Sequence, residues 1–116
     1  MKILLVEDEE SIRFFISCYF RKKGQSIVAV NDAESALEFV STEIWDVVIC
    51  DYDLPRMNGI DFLRKVSRTQ PGSVKILISG YSEAELGYDA DQAGIDKMIR
   101  KPFNAKELVD CIKALK

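Results

Sequence analysis

The stretch Asp46–Asp53, DVVICDYD, decides the fold. Four apolar residues run without a break between acids, so both faces of this segment need cover. That is how a central strand of a parallel sheet reads, because helices pack on both of its sides. Proline and glycine follow in Leu54–Gly59, which marks a loop. Working outward, the same alternation recurs. Lys2–Val6 (KILLV), Ser26–Val30 (SIVAV), Val74–Ile78 and the weaker Lys97–Ile99 read as strands. Between them lie helical patterns: Ile12, Phe15, Ile16 and Tyr19 at helical spacing with Gly24 as stop, then Ala36, Leu37 and Val40 behind the N-cap Asp32. Ile60–Ser67 carries Phe62, Leu63 and Val66 inward before Pro71-Gly72 breaks the chain. Glu83–Ala93 is a polar helix ending at Gly94, and Asn104 caps a last helix with Leu108, Val109, Ile112 and Leu115. Five strands alternating with five helices predict an α/β sheet covered on both faces.

Composition agrees with one domain over residues 1–116. The hydrophobic content of 47% and charged content of 30% are globular values. Net charge is −3 with no basic run, so nucleic-acid contact by this domain is not expected. No histidine is present, which removes His-based catalysis and most transition-metal sites. Cys18, Cys50 and Cys111 are odd in number and widely spaced, suiting a reduced compartment without disulfides. Neither a signal peptide nor a membrane span is legible, so the expected compartment is the cytoplasm.

In open parallel sheets, ligands bind beyond the carboxyl ends of the strands. Strand one ends in Glu7-Asp8, strand three in Asp51 with Asp53 two residues on, strand four in Ser79-Gly80, and strand five leads into Lys101-Pro102. Taken singly, each has a plain structural role: Glu7-Asp8 as acids at a helix start, Asp51 and Asp53 as turn residues, Ser79 as a strand-end hydroxyl. Together they place several carboxylates, a hydroxyl and an ammonium on one rim. Clustered carboxylates repel unless a cation joins them, and an oxygen-only set suits Mg²⁺, with Mn²⁺ as the alternative. A carboxylate can also attack phosphorus to give an aspartyl phosphate. Phosphoryl transfer needs mainly positioning and charge neutralisation, which this set supplies.

The segments ILLVEDE at 3–9, DYDLPRMNG at 51–59, ILISG at 76–80 and GIDKMIRKPF at 94–103 together resemble the receiver domain of bacterial two-component response regulators. The resemblance implies a doubly wound (βα)5, flavodoxin-like fold with strand order 2-1-3-4-5. It makes Asp51 the phosphoacceptor, Glu7 and Asp8 the acidic pair around Mg²⁺, and the backbone carbonyl of Asp53 a further ligand. Ser79 corresponds to the switch hydroxyl and Lys101 to the phosphate-contacting lysine, aimed by a cis Lys101-Pro102 bond. The implied donor is a sensor histidine kinase or a histidine phosphotransfer protein. The implied role is a switch that shifts the helix 4–strand 5–helix 5 face to control an output, rather than a turnover enzyme.

The family carries an aromatic residue three positions before the lysine, which flips inward on activation; this chain has Met98 there. Asp53 and Tyr81 hold the two positions that tune phosphoryl lifetime. Glu83, Glu85, Asp89 and Asp91 in the fourth helix oppose Lys97, Arg100, Lys106 and Lys113, a pattern that fits either a two-fold dimer or a solvated surface. Asp51-x-Asp53 with Ser79 and Lys101 also resembles haloacid-dehalogenase-type phosphatases, but their DxD follows the first strand and their metal acids come after the lysine. A receiver used only for interaction is disfavoured by the intact Glu7, Asp8, Asp51 and Lys101.

Overall fold

A computed structural model describes residues 1–115 and shows a five-stranded parallel sheet of order β2-β1-β3-β4-β5. Of the domain expected over residues 1–116, only Lys116 lies outside the described residues. The elements alternate: β1 (Lys2–Val6), α1 (Glu10–Lys22), β2 (Ser26–Val30), α2 (Ala33–Thr42), β3 (Val47–Asp51), α3 (Gly59–Thr69), β4 (Val74–Ser79), α4 (Glu83–Gln92), β5 (Lys97–Arg100) and α5 (Ala105–Leu115).

Strand periodicity sorts the core into two layers. Leu4, Val6, Val48, Cys50 and Leu77 face α2, α3 and α4. Ile3, Leu5, Ile49, Ile76 and Ile78 face α1 and α5. The central strands β3 and β4 are buried at every position, which explains the apolar runs Val47–Cys50 and Ile76–Ile78; Lys75, also buried in β4, donates from its Nζ to Ser73 O at 2.6 Å.

Caps set the helix starts. Asp32 accepts from Ser35 N, Asn58 from Asp61 N, and Asn104 from Glu107 N, at 2.7–2.9 Å. Ser82 and Glu85 form a reciprocal capping box at α4. Gly24 and Gly94, both at φ 79°, end α1 and α4 in the left-handed region.

At the amino end of β3, buried Gln70 ties three segments: its Nε2 donates to Val40 O at 2.8 Å and Glu43 O at 2.6 Å, and its Oε1 accepts from Trp45 N at 2.9 Å.

One expectation holds and one shifts. Strand three, Val47–Asp51, ends in the acid. On α1 the buried positions are Ile16, Ser17 and Phe20, while Phe15 is 50% exposed and Phe14 68% exposed. The spacing at 12, 15, 16 and 19 is helical, but the face turned to the sheet is set by Ile16 and Phe20 packing on Ile3, Leu5 and Ile27.

Candidate functional site

Strand register builds the site. Val6 pairs with Cys50, so Glu7 leaves β1 beside Asp51. Asp51 pairs with Ile78, which places Ser79 next along the rim, and Ser79 pairs with Arg100, the residue before Lys101. In-register parallel strands thus bring four predicted residues to one end of the sheet, although as many as 94 positions separate them in the chain. The Lys101-Pro102 peptide bond is cis.

Glu7 and Asp51 are 1% and 3% exposed, unusual for carboxylates, whereas Asp8 is open to solvent. Lys101 Nζ donates to Asp51 Oδ2 at 3.0 Å and lies 3.8 Å from Glu7 Oε1. The other Asp51 oxygen, Oδ1, accepts from Asp53 N at 3.4 Å, and Glu7 Oε2 accepts from Glu9 N at 3.1 Å. Glu7 Oε1 is buried with no hydrogen-bond partner. Burial, joined by the Asp51 carboxylate, pushes the Glu7 carboxyl up to about 7 against the pull of Glu9 N–H and Lys101. Burial also raises Asp51, although Lys101 opposes it. Burial pulls Lys101 down, but Asp51 and Glu7 together hold it above its ordinary value.

One ammonium therefore serves two buried acids and leaves one oxygen, Glu7 Oε1, within ion-pair range but without a hydrogen bond. One carboxylate oxygen each from Glu7, Asp8 and Asp51 fall within 4.8 Å of one another. An all-oxygen set with an orphaned buried oxygen fits a hard divalent cation.

The remaining predicted residues sit around this cluster. Ser79 is fully buried and its Oγ accepts from Tyr81 N at 2.8 Å. Lys101 N donates to Ser79 O at 2.8 Å. Asp53 is exposed and touches the cluster through its backbone N–H. Met98 is half-buried against the α2–α3–α4 core and borders a groove with Tyr81, Ser82, Glu83 and Arg100.

Three contributors escaped the sequence reading. Arg13 Nη1 donates to Glu7 O at 2.9 Å, bracing the β1–α1 loop. The Tyr52 and Tyr81 rings meet edge to face, 5.6 Å between centroids. Gly59 packs on the end of β3 so closely that a Cβ there would sit 2.9 Å from the Asp51 carbonyl carbon and nearer still to its oxygen. Gly59 N also donates to Tyr52 O at 2.9 Å. The glycine was visible as a loop signal, but its contact with Asp51 is tertiary.

The response regulator receiver domain model matches residues 3–113. The chain is 32% identical to the transcriptional regulatory protein DltR of Streptococcus agalactiae over 113 residues, covering 97% of this chain and 50% of that one. It thus spans half the length of that curated relative. It is 28% identical to the response regulator receiver protein CpdR of Brucella abortus, covering 98% of this chain and 95% of the relative. A CheY-like receiver domain protein from Methanospirillum hungatei superposes with TM-score 0.93 at 29% identity, over 98% of this chain and 91% of that one. The chemotaxis regulator CheY4 of Vibrio cholerae shares the fold at TM-score 0.92 and 24% identity, over 99% and 98% of the two chains.

Proposed function

The chain belongs to the response regulator receiver domain family, whose members are phosphoacceptors of two-component signalling, and we propose that its acceptor is Asp51. The observation that carries this is a buried carboxylate at the end of a central strand, 3.0 Å from a lysine ammonium and grouped with Glu7 and Asp8. An Asp51 oxygen attacks the phosphorus of a phosphohistidine. The O–P bond forms as the N–P bond breaks, and the imidazole leaves to take up a proton. Glu7, Asp8, Asp51 and the Asp53 carbonyl are the groups to hold Mg²⁺ or Mn²⁺, which when bound neutralises charge on the phosphoryl oxygens. Lys101 contributes its fixed positive charge from the other side, and the Ser79 hydroxyl donates to a phosphoryl oxygen. The chain transfers one group to itself and turns over no substrate.

The donor protein has a place to rest. Ile12, Phe15, Pro102 and Phe103 line an apolar groove that includes Lys101, and Phe14 and Phe15 stand exposed on the same helix. We assign this face to the sensor kinase or phosphotransfer protein, because it abuts the residues its phosphohistidine must reach. Readout runs through α4, β5 and α5. The added charge of roughly −1.5 to −2 draws Ser79 and Lys101 and shifts the loop before α4. The acidic α4 and the basic residues of β5 and α5 then favour pairing of two copies.

Incubation with acetyl phosphate and Mg²⁺, followed by intact-mass measurement, tests the assignment. One added phosphoryl group is expected on the wild type and none on Asp51→Asn; equal addition to both would sink it. Gel filtration of the same samples should show a larger species only after phosphorylation.

A further inference from the structure

We infer that Tyr52 is a positioning residue for the Ser79 hydroxyl, acting through the ring and backbone of Tyr81. The inference rests on the proposed role of Ser79 in binding the phosphoryl group. Tyr52 directly follows Asp51, and its backbone is fixed on three sides. Its N–H donates to Ile78 O at 2.8 Å, and its carbonyl accepts from Leu54 N at 3.1 Å and Gly59 N at 2.9 Å. Its ring is half-buried and meets Tyr81 at an interplanar angle of 80°. That is the edge-to-face geometry in which the positive rim of one ring meets the negative face of the other.

Tyr81 is 43% exposed, and its ring has no other aromatic neighbour among the described residues. Gly80 precedes it, and a Cβ at Gly80 would meet nothing within 4 Å; there the loop is tied through its backbone, with Arg100 Nε donating to Gly80 O at 3.1 Å. The ring contact with Tyr52 adds a second tie, from the Tyr81 side chain to the residue that follows β3. This tie matters because Tyr81 N–H is the donor to Ser79 Oγ. A serine hydroxyl has one proton to give and two lone pairs. With one lone pair committed to Tyr81, the rotor is limited and the O–H is left to donate elsewhere. The buried Ser79 can then meet an incoming phosphoryl oxygen without first reorganising.

Met98 occupies the position where an aromatic readout residue was expected, and it packs on the core side of the same groove that Tyr81 lines. In this chain the ring that communicates with the hydroxyl therefore comes from the residue after β3 and not from β5.

The test uses beryllofluoride with saturating Mg²⁺ as the phosphoryl probe, its affinity read from amide NMR shifts. An edge-to-face pair contributes about 0.5–1.5 kcal/mol, so Tyr52→Leu should weaken beryllofluoride about 2- to 10-fold. Tyr52→Phe, which keeps the ring, should stay within twofold of wild type. In a Tyr81→Leu background, Tyr52→Leu should have no further effect. Urea midpoints of all variants report whether the fold is intact. An unchanged or tighter affinity in Tyr52→Leu, a Phe variant as weak as Leu, or an effect that persists without Tyr81 would each overturn the inference. Absence of binding by the wild type would instead strike at the acceptor assignment.

Discussion

Replacing Glu7 by glutamine should stabilise the cation-free protein above neutral pH, although it removes a residue of the acidic cluster. The Glu7 carboxyl is buried, one of its oxygens has no hydrogen bond, and burial has moved its pKa from 4.5 to about 7. Between those values the folded protein holds a proton that the unfolded chain has released. The stability this group contributes is therefore complete below about pH 4.5 and is lost as pH rises through about 7. At about 1.4 kcal/mol per pH unit the displacement is worth about 3 kcal/mol. Solvent at the open rim and the shared influence of Asp51 reduce this to about 2 kcal/mol. Glutamine carries no charge at any pH and escapes the penalty. With an m-value of about 2 kcal/mol/M, the urea midpoint of Glu7→Gln should exceed that of wild type by about 1 M at pH 8. The two should converge near pH 4. Adding Mg²⁺ at pH 8 should close the gap from the wild-type side, because the cation satisfies the charge that glutamine lacks. The assay is urea unfolding at pH 4, 6 and 8, with EDTA or Mg²⁺. A difference independent of pH, or equal Mg²⁺ stabilisation of both proteins, would refute the reasoning.

Gly59→Ala should lower stability by about 2–3 kcal/mol and slow acetyl-phosphate labelling, since its Cβ would press on the Asp51 carbonyl and on Leu77 Cδ1; a urea midpoint and labelling rate equal to wild type would contradict this. Gln70→Leu should cost about 2–4 kcal/mol by stranding Trp45 N, Val40 O and Glu43 O, yet leave the labelling rate per folded molecule unchanged, because the network lies at the opposite end of β3. Melting curves and single-turnover labelling of the same sample separate the two effects.

The sheet was legible because Val47–Cys50 and Ile76–Ile78 are apolar on both faces and the glycine stops are local. The strand-end acids and Lys101 were legible for a related reason: parallel order converts position in the chain into position on the rim. What escaped depends on tertiary partners. Glu7 and Asp8 are adjacent acids in the sequence, yet one is buried and the other open. Only the turn out of β1 distinguishes them. Phe15 has the spacing of a core residue but is half exposed, because apolar periodicity does not say which edge of the apolar stripe meets the sheet. The Tyr52–Tyr81 pair joins two loops 29 residues apart, and neither loop signals the other.

Gly59 bears on how this domain tolerates changes in chain length. Its amide holds Tyr52 O, and its missing side chain lets α3 begin against the Asp51 carbonyl, so the segment between them is a closed ring of fixed circumference. Surface loops usually absorb added residues at little cost. Here an insertion would have to lift α3 off the end of β3 and carry Asp51, the proposed acceptor, with it. The β3–α3 connection should therefore be among the least permissive places to lengthen the chain, despite lying at the surface and containing the exposed Pro55 and Arg56.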